Sequence, residues 1–196
     1  MKVIGITGGI GSGKSRVLDI LSDRYRAYVV EADKVAKKLM LPGNEVYNKV
    51  VSCFGRDILS ADNHEIDAKK LGSLVMNDTA ALEKLNSIVH PAVKEYILSD
   101  IKAQRDNGVD YYIIEAALLI QDNYTEICDE IWAVITDKET RISRLMSDRG
   151  YSRKKAEDFI KNQPDELFYK NGSNRIIMNN GTVFDLIKSV DDLFQL

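Results

Sequence analysis

Gly8, Gly13, Lys14 and Ser15 fall at the spacing GxxxxGK[ST], within the run Gly8, Gly9, Ile10, Gly11, Ser12, Gly13, Lys14, Ser15. Those types in that order can hold a polyphosphate. Glycines let the main chain wrap an anion with no Cβ in the way, and amides at a helix N-terminus point their hydrogens at it. Lys14 supplies a point charge for β and γ phosphates, and the Ser15 hydroxyl can ligate Mg²⁺. The apolar run Val3, Ile4, Gly5, Ile6, Thr7 directly before the loop and the helical pattern after it give the strand, turn and helix that this chemistry requires. Two further carboxylates stand at predicted strand ends. Glu31, Ala32, Asp33 follow a strand expected at residues 26–30, and Glu115 closes the apolar run Tyr111 to Ile114. Asp33 is a candidate to accept the proton of a substrate hydroxyl, with a plain helix cap as the alternative use. Glu115 is placed to reach Mg²⁺ directly or through water. Arg141 and Arg144 share one helix face, and Arg149 follows at its end. Beside a phosphate loop they read as a mobile lid whose arginines neutralise a transferred phosphoryl group, and otherwise as a solvated basic face.

The elements that must position these residues follow from periodicity. The first strand, Lys2 to Thr7, is apolar enough to lie centrally in a parallel sheet, and a helix over 14–25 with Val17, Leu18 and Leu21 on its buried stripe returns the chain to the second strand. This unit implies a right-handed crossover, and ligands of such sheets gather beyond the carboxyl ends of strands, where Glu31 and Asp33 should emerge. Residues 34–107 read as helices only: one over 34–40, one carrying Val46, Val50 and Phe54, one capped by Asp67, and two more separated at His90 and Pro91. That block is too long for a simple crossover and is expected to hold a second substrate. Strands over 111–114, 131–135 and 176–178 complete a sheet of five. Thr136 with Glu139 and Thr182 with Asp185 have capping-box spacing, and the last helix is expected to bury Phe184, Ile187, Val190 and Phe194.

Composition narrows the setting. A chain of 196 residues with 44% hydrophobic content can build one core with an insertion. Its 27 basic and 30 acidic residues give a net charge of −3, so no global field would draw it to nucleic acid or to anionic lipid. Cys53 and Cys128 lack metal-site spacing and read as buried thiols of a reducing cytoplasm. No charged leader and no apolar run of about 18 residues is present, so a cytoplasmic protein without membrane partners is expected.

Taken in order, TGGIGSGKS at Thr7 to Ser15, EAD at Glu31 to Asp33, Phe54-Gly55, Leu85-Asn86 leading to His90-Pro91, Leu118-Leu119, RLM at Arg144 to Met146, Gln163 and NNG at Asn179 to Gly181 resemble the dephospho-coenzyme A kinase family of P-loop kinases. The resemblance runs essentially the length of the chain. It implies a three-layer α/β/α P-loop fold with a five-stranded parallel sheet, a core of 1–33 and 108–196, a helical acceptor-binding insertion over 34–107, and a small helical lid over about 137–170. The implied reaction is transfer from ATP, with Mg²⁺, to the ribose 3′-hydroxyl of dephospho-CoA. The implied catalytic residues are Lys14, Asp33 and Arg144, with nucleotide bound by residues 8–15 and Arg16, and acceptor by Asp33, His90, Leu118, Arg141 and Arg149. Asp148 and Arg149 reverse the family's usual order, and one position along a helix turns a side chain by about 100°. Arg144 is therefore the lid arginine of choice. A monomer or weak homo-oligomer acting on small molecules is expected, with another P-loop nucleoside or nucleotide kinase, or an inactive nucleotide-binding homologue, as alternatives.

Overall fold

The computed structural model describes residues 1–76 and 78–194. Its elements are β1 (Lys2–Thr7), α1 (Lys14–Tyr25), β2 (Tyr28–Glu31), α2 (Ala32–Leu39), α3 (Glu45–Phe54), α4 (Ala68–Val75), α5 (Thr79–Asp106), β3 (Tyr111–Glu115), β4 (Glu130–Ile135), α6 (Lys138–Arg149), α7 (Arg153–Lys161), α8 (Glu166–Asn171), β5 (Arg175–Met178) and α9 (Val183–Phe194). The five strands form a parallel sheet in the order β2-β3-β1-β4-β5, the arrangement of a three-layer α/β/α fold. β1 lies at the centre, with Ile4 opposite Ile113 on one side and Glu130 on the other.

Strand periodicity sorts the core into two layers. Ile4 and Ile6 of β1, Ile113 of β3, Trp132 and Val134 of β4 and Ile177 of β5 pack under Val17, Leu18 and Leu21 of α1 and Leu186 and Val190 of α9. The intervening β4 residues, Ala133 and Ile135, face Tyr169 of α8 together with Ile120 and Phe168. Each fully buried large aliphatic side chain contributes about 1.5–3 kcal/mol. That outweighs the exposed Arg24–Asp191 pair between α1 and α9, a class of interaction worth about 0–1 kcal/mol. The end of α9 is seated by Phe194, which stacks on Tyr25 at 3.8 Å and meets Tyr111 and Trp132 edge-on. Gly5 lets the segment after β3 close on the sheet, since a Cβ there would stand 2.8 Å from a Leu119 methyl and 3.0 Å from Cys128 Sγ.

The chain divides into two compact units, Met1–Val30 with Gln104–Leu196, and Glu31–Ala103. Among the described residues the second carries helices α2 to α4 and most of α5, with a Leu59–Ile66 bridge around a polar turn. Asp67 caps α4, accepting from the Lys69 and Lys70 amides at 2.8 and 3.2 Å. Both glycines that break this part of the pattern, Gly43 and Gly55, take positive φ.

Several local expectations are corrected. α2 starts at Ala32, with Glu31 in the cap position, so Asp33 lies in the first turn and caps nothing. An acidic residue there is favoured by the helix dipole without any side-chain bond. The two helices expected around Pro91 are one, 28 residues long, with Pro91 inside it. Interior proline costs about 3 kcal/mol. Val89, Val93, Ile97 and Ile101, four residues apart on a single buried stripe, offset it only if the helix runs through. In α9 the stripe is Leu186 and Val190, and Phe184 is 74% exposed, because position 184 lies about 200° round the helix from 186. The Thr182–Asp185 box forms in both directions, at 2.8 and 3.3 Å. The Thr136–Glu139 box does not, since Asp137 is the cap residue of α6 and Thr136 turns to other partners. The two thiols are free and only partly buried; burial, helped by Asp129, pushes Cys128 up to about 12.

Candidate functional site

The loop between β1 and α1 is shaped by three glycines with positive φ: Gly8 at 144°, Gly11 at 74° and Gly13 at 91°. Gly13 occupies the cap position of α1 and provides no side-chain cap. The first helical amides therefore stay available. Ser12 N donates to Gly9 O at 3.2 Å, closing the turn, whereas the amides of Gly11, Gly13, Lys14 and Ser15 have no acceptor among the described residues. Four donors converging at a helix N-terminus form a cradle for an anion.

Lys14 folds over this cradle. Its Nζ donates to Gly8 O at 3.0 Å and lies 3.5 Å from Glu115 Oε1. The register explains the pair: β3 runs beside β1 with Glu115 opposite Ile6, so the carboxylate that ends β3 reaches the start of the loop. Ser15, one residue on, is exposed in the first turn of α1. Arg16 is exposed, with Asp19 one turn away at 3.8 Å. Among the described residues no cluster of three or more His, Cys, Asp or Glu could form a metal cage. The Ser15 hydroxyl and the Glu115 carboxylate are oxygen donors of the kind a Mg²⁺ site uses, in which most ligands are water and phosphate oxygens.

The far side of the loop is held by α6 and by the turn after β5. Ser12 O accepts from Asn179 Nδ2 at 2.8 Å, from the Thr136 hydroxyl at 2.9 Å and from Arg144 at 3.3 Å. Arg144 also donates to Asn179 O at 3.0 Å. Arg141 Nε donates to Ile10 O at 2.8 Å, and its NH2 donates to Gln163 Oε1 at 2.8 Å. Burial lowers the Arg141 pKa, yet a guanidinium starts too high to lose its charge. These contacts state why the loop is glycine-rich on this side too. A Cβ on Gly9 would enter the Arg141 guanidinium, and one on Gly13 would enter the Asn179 amide. A cleft of about 350 Å³ beside the loop is lined by Gly9, Thr136, Arg141, Gln163 and Tyr169, among others.

The structure thus brings together residues 8–15, Glu115, Arg141 and Arg144 in one unit. Arg149 belongs to the same unit but is exposed in the last turn of α6, without a hydrogen bond or ion pair among the described residues. Leu118 is 42% exposed after β3. Asp33 and His90 belong to the helical unit, Asp33 exposed in α2 and His90 half-buried in α5. Sequence reasoning missed Thr136, read as half of a capping box, and named Gln163 and Asn179 only among the motifs of the family resemblance, with no site role. Their partners lie 124, 167 and 153 residues away, beyond the reach of any local pattern. The order of motifs was their only signal. Thr136→Val should lower stability by about 1 kcal/mol, the worth of one buried hydrogen bond, because Ser12 O keeps two other donors. The urea midpoint of the pure variant checks it.

Comparison with known proteins completes the picture. The sequence model described as dephospho-CoA kinase matches residues 2–185. The dephospho-CoA kinase of Geobacter sulfurreducens is 38% identical over 195 residues, covering 99% of this chain and 98% of that protein. A crystal structure from Thermus thermophilus superposes with a TM-score of 0.82 at 23% identity, covering 99% of this chain and 96% of the other. The dephospho-CoA kinase from Campylobacter jejuni superposes with a TM-score of 0.73 at 24% identity, covering 100% and 96%. These two structural likenesses show the fold. No helix among the described residues is long and apolar enough to cross a membrane. With its phosphate loop formed and the family's sequence model matched from strand β1 into helix α9, this chain belongs to the dephospho-CoA kinase family.

Proposed function

We propose that this chain transfers the γ-phosphoryl group of ATP to the ribose 3′-hydroxyl of dephospho-CoA, giving coenzyme A and ADP, the last step of coenzyme A synthesis. The observation that carries this is the loop of free amides with Lys14 over it, in a chain of that family. Such transfer needs in-line positioning and charge neutralisation more than covalent help. The amides of Gly11 to Ser15 hold the donor phosphates, and Lys14 exchanges Gly8 O for their oxygens. Ser15 and Glu115 would hold Mg²⁺, which would supply neutralisation of the charge on the donor phosphates. As the new bond forms between the 3′-oxygen and phosphorus and the bond to ADP breaks, Asp33 takes the hydroxyl proton. Arg144 compensates the charge on the phosphoryl oxygens, and α6 and α7, with Arg149, act as the lid that excludes water. Arg16 is assigned to nucleotide binding, and His90 and Leu118 to acceptor binding.

The helical unit is suited to the acceptor's long arm. A groove of about 360 Å³ there is lined by Met40, Leu41, Ile66, Leu71, Val75 and Leu85, with Lys37 and Glu65 also in its wall. Apolar walls with few polar groups are the usual character of a small-molecule site.

A coupled assay for ADP with dephospho-CoA as acceptor tests the reading. ADP and 3′-phosphorylated product should form together and require Mg²⁺. Phosphorylation of a nucleoside monophosphate in place of dephospho-CoA would move the chain to another kinase specificity. Calorimetric ATP binding with no product from either acceptor would make it an inactive homologue.

A further inference from the structure

Ile10 is the one residue of the loop's glycine-rich turn with a large apolar side chain, and both its main-chain polar groups are held by side chains distant in sequence. Its N–H donates to Gln163 Oε1 at 2.8 Å, and its carbonyl accepts from Arg141 Nε at 2.8 Å. The Arg141 NH2 donates to the same Gln163 oxygen at 2.8 Å. The three bonds close a ring. We propose that Gln163 is a positioning residue for phosphoryl transfer: acting through Ile10 and Arg141, it sets the shape of the phosphate loop.

The chemistry of the ring favours this assignment over a packing role. One amide oxygen has two acceptor sites, and here both are occupied, one by the loop and one by α6. The guanidinium is a planar fork whose two donors meet acceptors on two different segments. Ile10 cannot shift or flip its peptide groups without losing bonds on both sides. Held in this way, Ile10 fixes the chain just before Gly11, Gly13, Lys14 and Ser15, whose amides are left free for phosphate. Gly9 shows how closely the ring is packed, since any Cβ there would collide with the Arg141 guanidinium. Gln163 is itself constrained. Its own N–H donates to Ile160 O at 3.2 Å at the end of α7, and Pro164 follows, which restricts the backbone of the residue before it. The ring therefore ties the loop to α6 and to the end of α7, so motion of these helices is transmitted to the loop.

The kinetic part of the test rests on the function proposed above; the exchange part does not. Gln163→Leu removes the acceptor at similar size, and Gln163→Glu retains an oxygen for both donors. In Gln163→Leu the KM for ATP should rise about tenfold while that for dephospho-CoA stays within about twofold, and Gln163→Glu should restore the ATP value to within about threefold. By NMR of the full chain without nucleotide, exchange of the Ile10 amide should accelerate about tenfold or more in Gln163→Leu and not in Gln163→Glu, with the amides of Leu18 to Leu21 unchanged. If Gln163→Leu has no cooperative melt, Gln163→Met, which keeps the length of the side chain and lacks the amide oxygen, is read in the same way. Unchanged Ile10 exchange overturns the ring whatever the enzyme does. A raised KM for dephospho-CoA alone, or a Glu variant as impaired as Leu, overturns the positioning role. Faster Ile10 exchange in a protein without kinase activity would keep the ring and reject the reaction.

Discussion

Asp33→Asn is expected to lower turnover by about 10²–10⁴-fold, the usual worth of a positioned general base, while ATP binding is unchanged. Asparagine keeps the size and much of the hydrogen bonding of aspartate but offers no carboxylate to take the 3′-hydroxyl proton. Because Asp33 is exposed in the first turn of α2 and caps nothing, its replacement costs the helix little beyond a weak dipole interaction. The donor cradle is built wholly from the other unit. Loss of turnover with intact nucleotide affinity, read by the coupled assay and by calorimetry, is thus the signature of the base. Near-normal turnover in the variant rejects that assignment, and a loss of ATP affinity in parallel would mean that Asp33 acts through the nucleotide.

Lys14→Ala should fail differently, losing both nucleotide affinity and rate. The ammonium lies at the start of the loop, held among the described residues by Gly8 O at 3.0 Å and a looser Glu115 contact at 3.5 Å, so release to a phosphate costs two modest interactions. Removing a donor aimed at developing charge costs about 10²–10³-fold in kcat, or about 2.7–4 kcal/mol, and the ground-state contact to the β phosphate should add a rise in KM. The same change leaves the half-buried Glu115 carboxylate without that ammonium beside bound phosphates. Calorimetric affinity within about twofold of wild type for Lys14→Ala would remove the lysine from phosphate binding.

The phosphate loop, the five strands and Asp67 as a cap were legible because each rests on neighbours in sequence: a glycine spacing, an apolar run, a donor two or three residues on. The errors came where local preference met a competing demand from afar. Pro91 reads as a helix start, but the stripe of Val89, Val93, Ile97 and Ile101 keeps one helix continuous through it. Thr136 has the spacing of a capping box, but a buried hydroxyl 2.9 Å from Ser12 O serves the loop. Phe184 looks like core and is solvent-facing, because Leu186 and Val190 set the buried side of α9.

By itself the sequence determined that a strand, a glycine turn and a helix would present amides, Lys14 and Ser15 to an anion, since those properties depend on φ freedom and helix direction within about fifteen residues. Only the tertiary structure decided what holds that loop. Thr136, Arg141, Arg144, Gln163 and Asn179 converge on Ile10 and Ser12 from segments more than a hundred residues later. Hydrogen bonds of this kind are specified by where β4, β5 and the following helices pack, and packing is a property of the whole sheet, which no local window of residues contains.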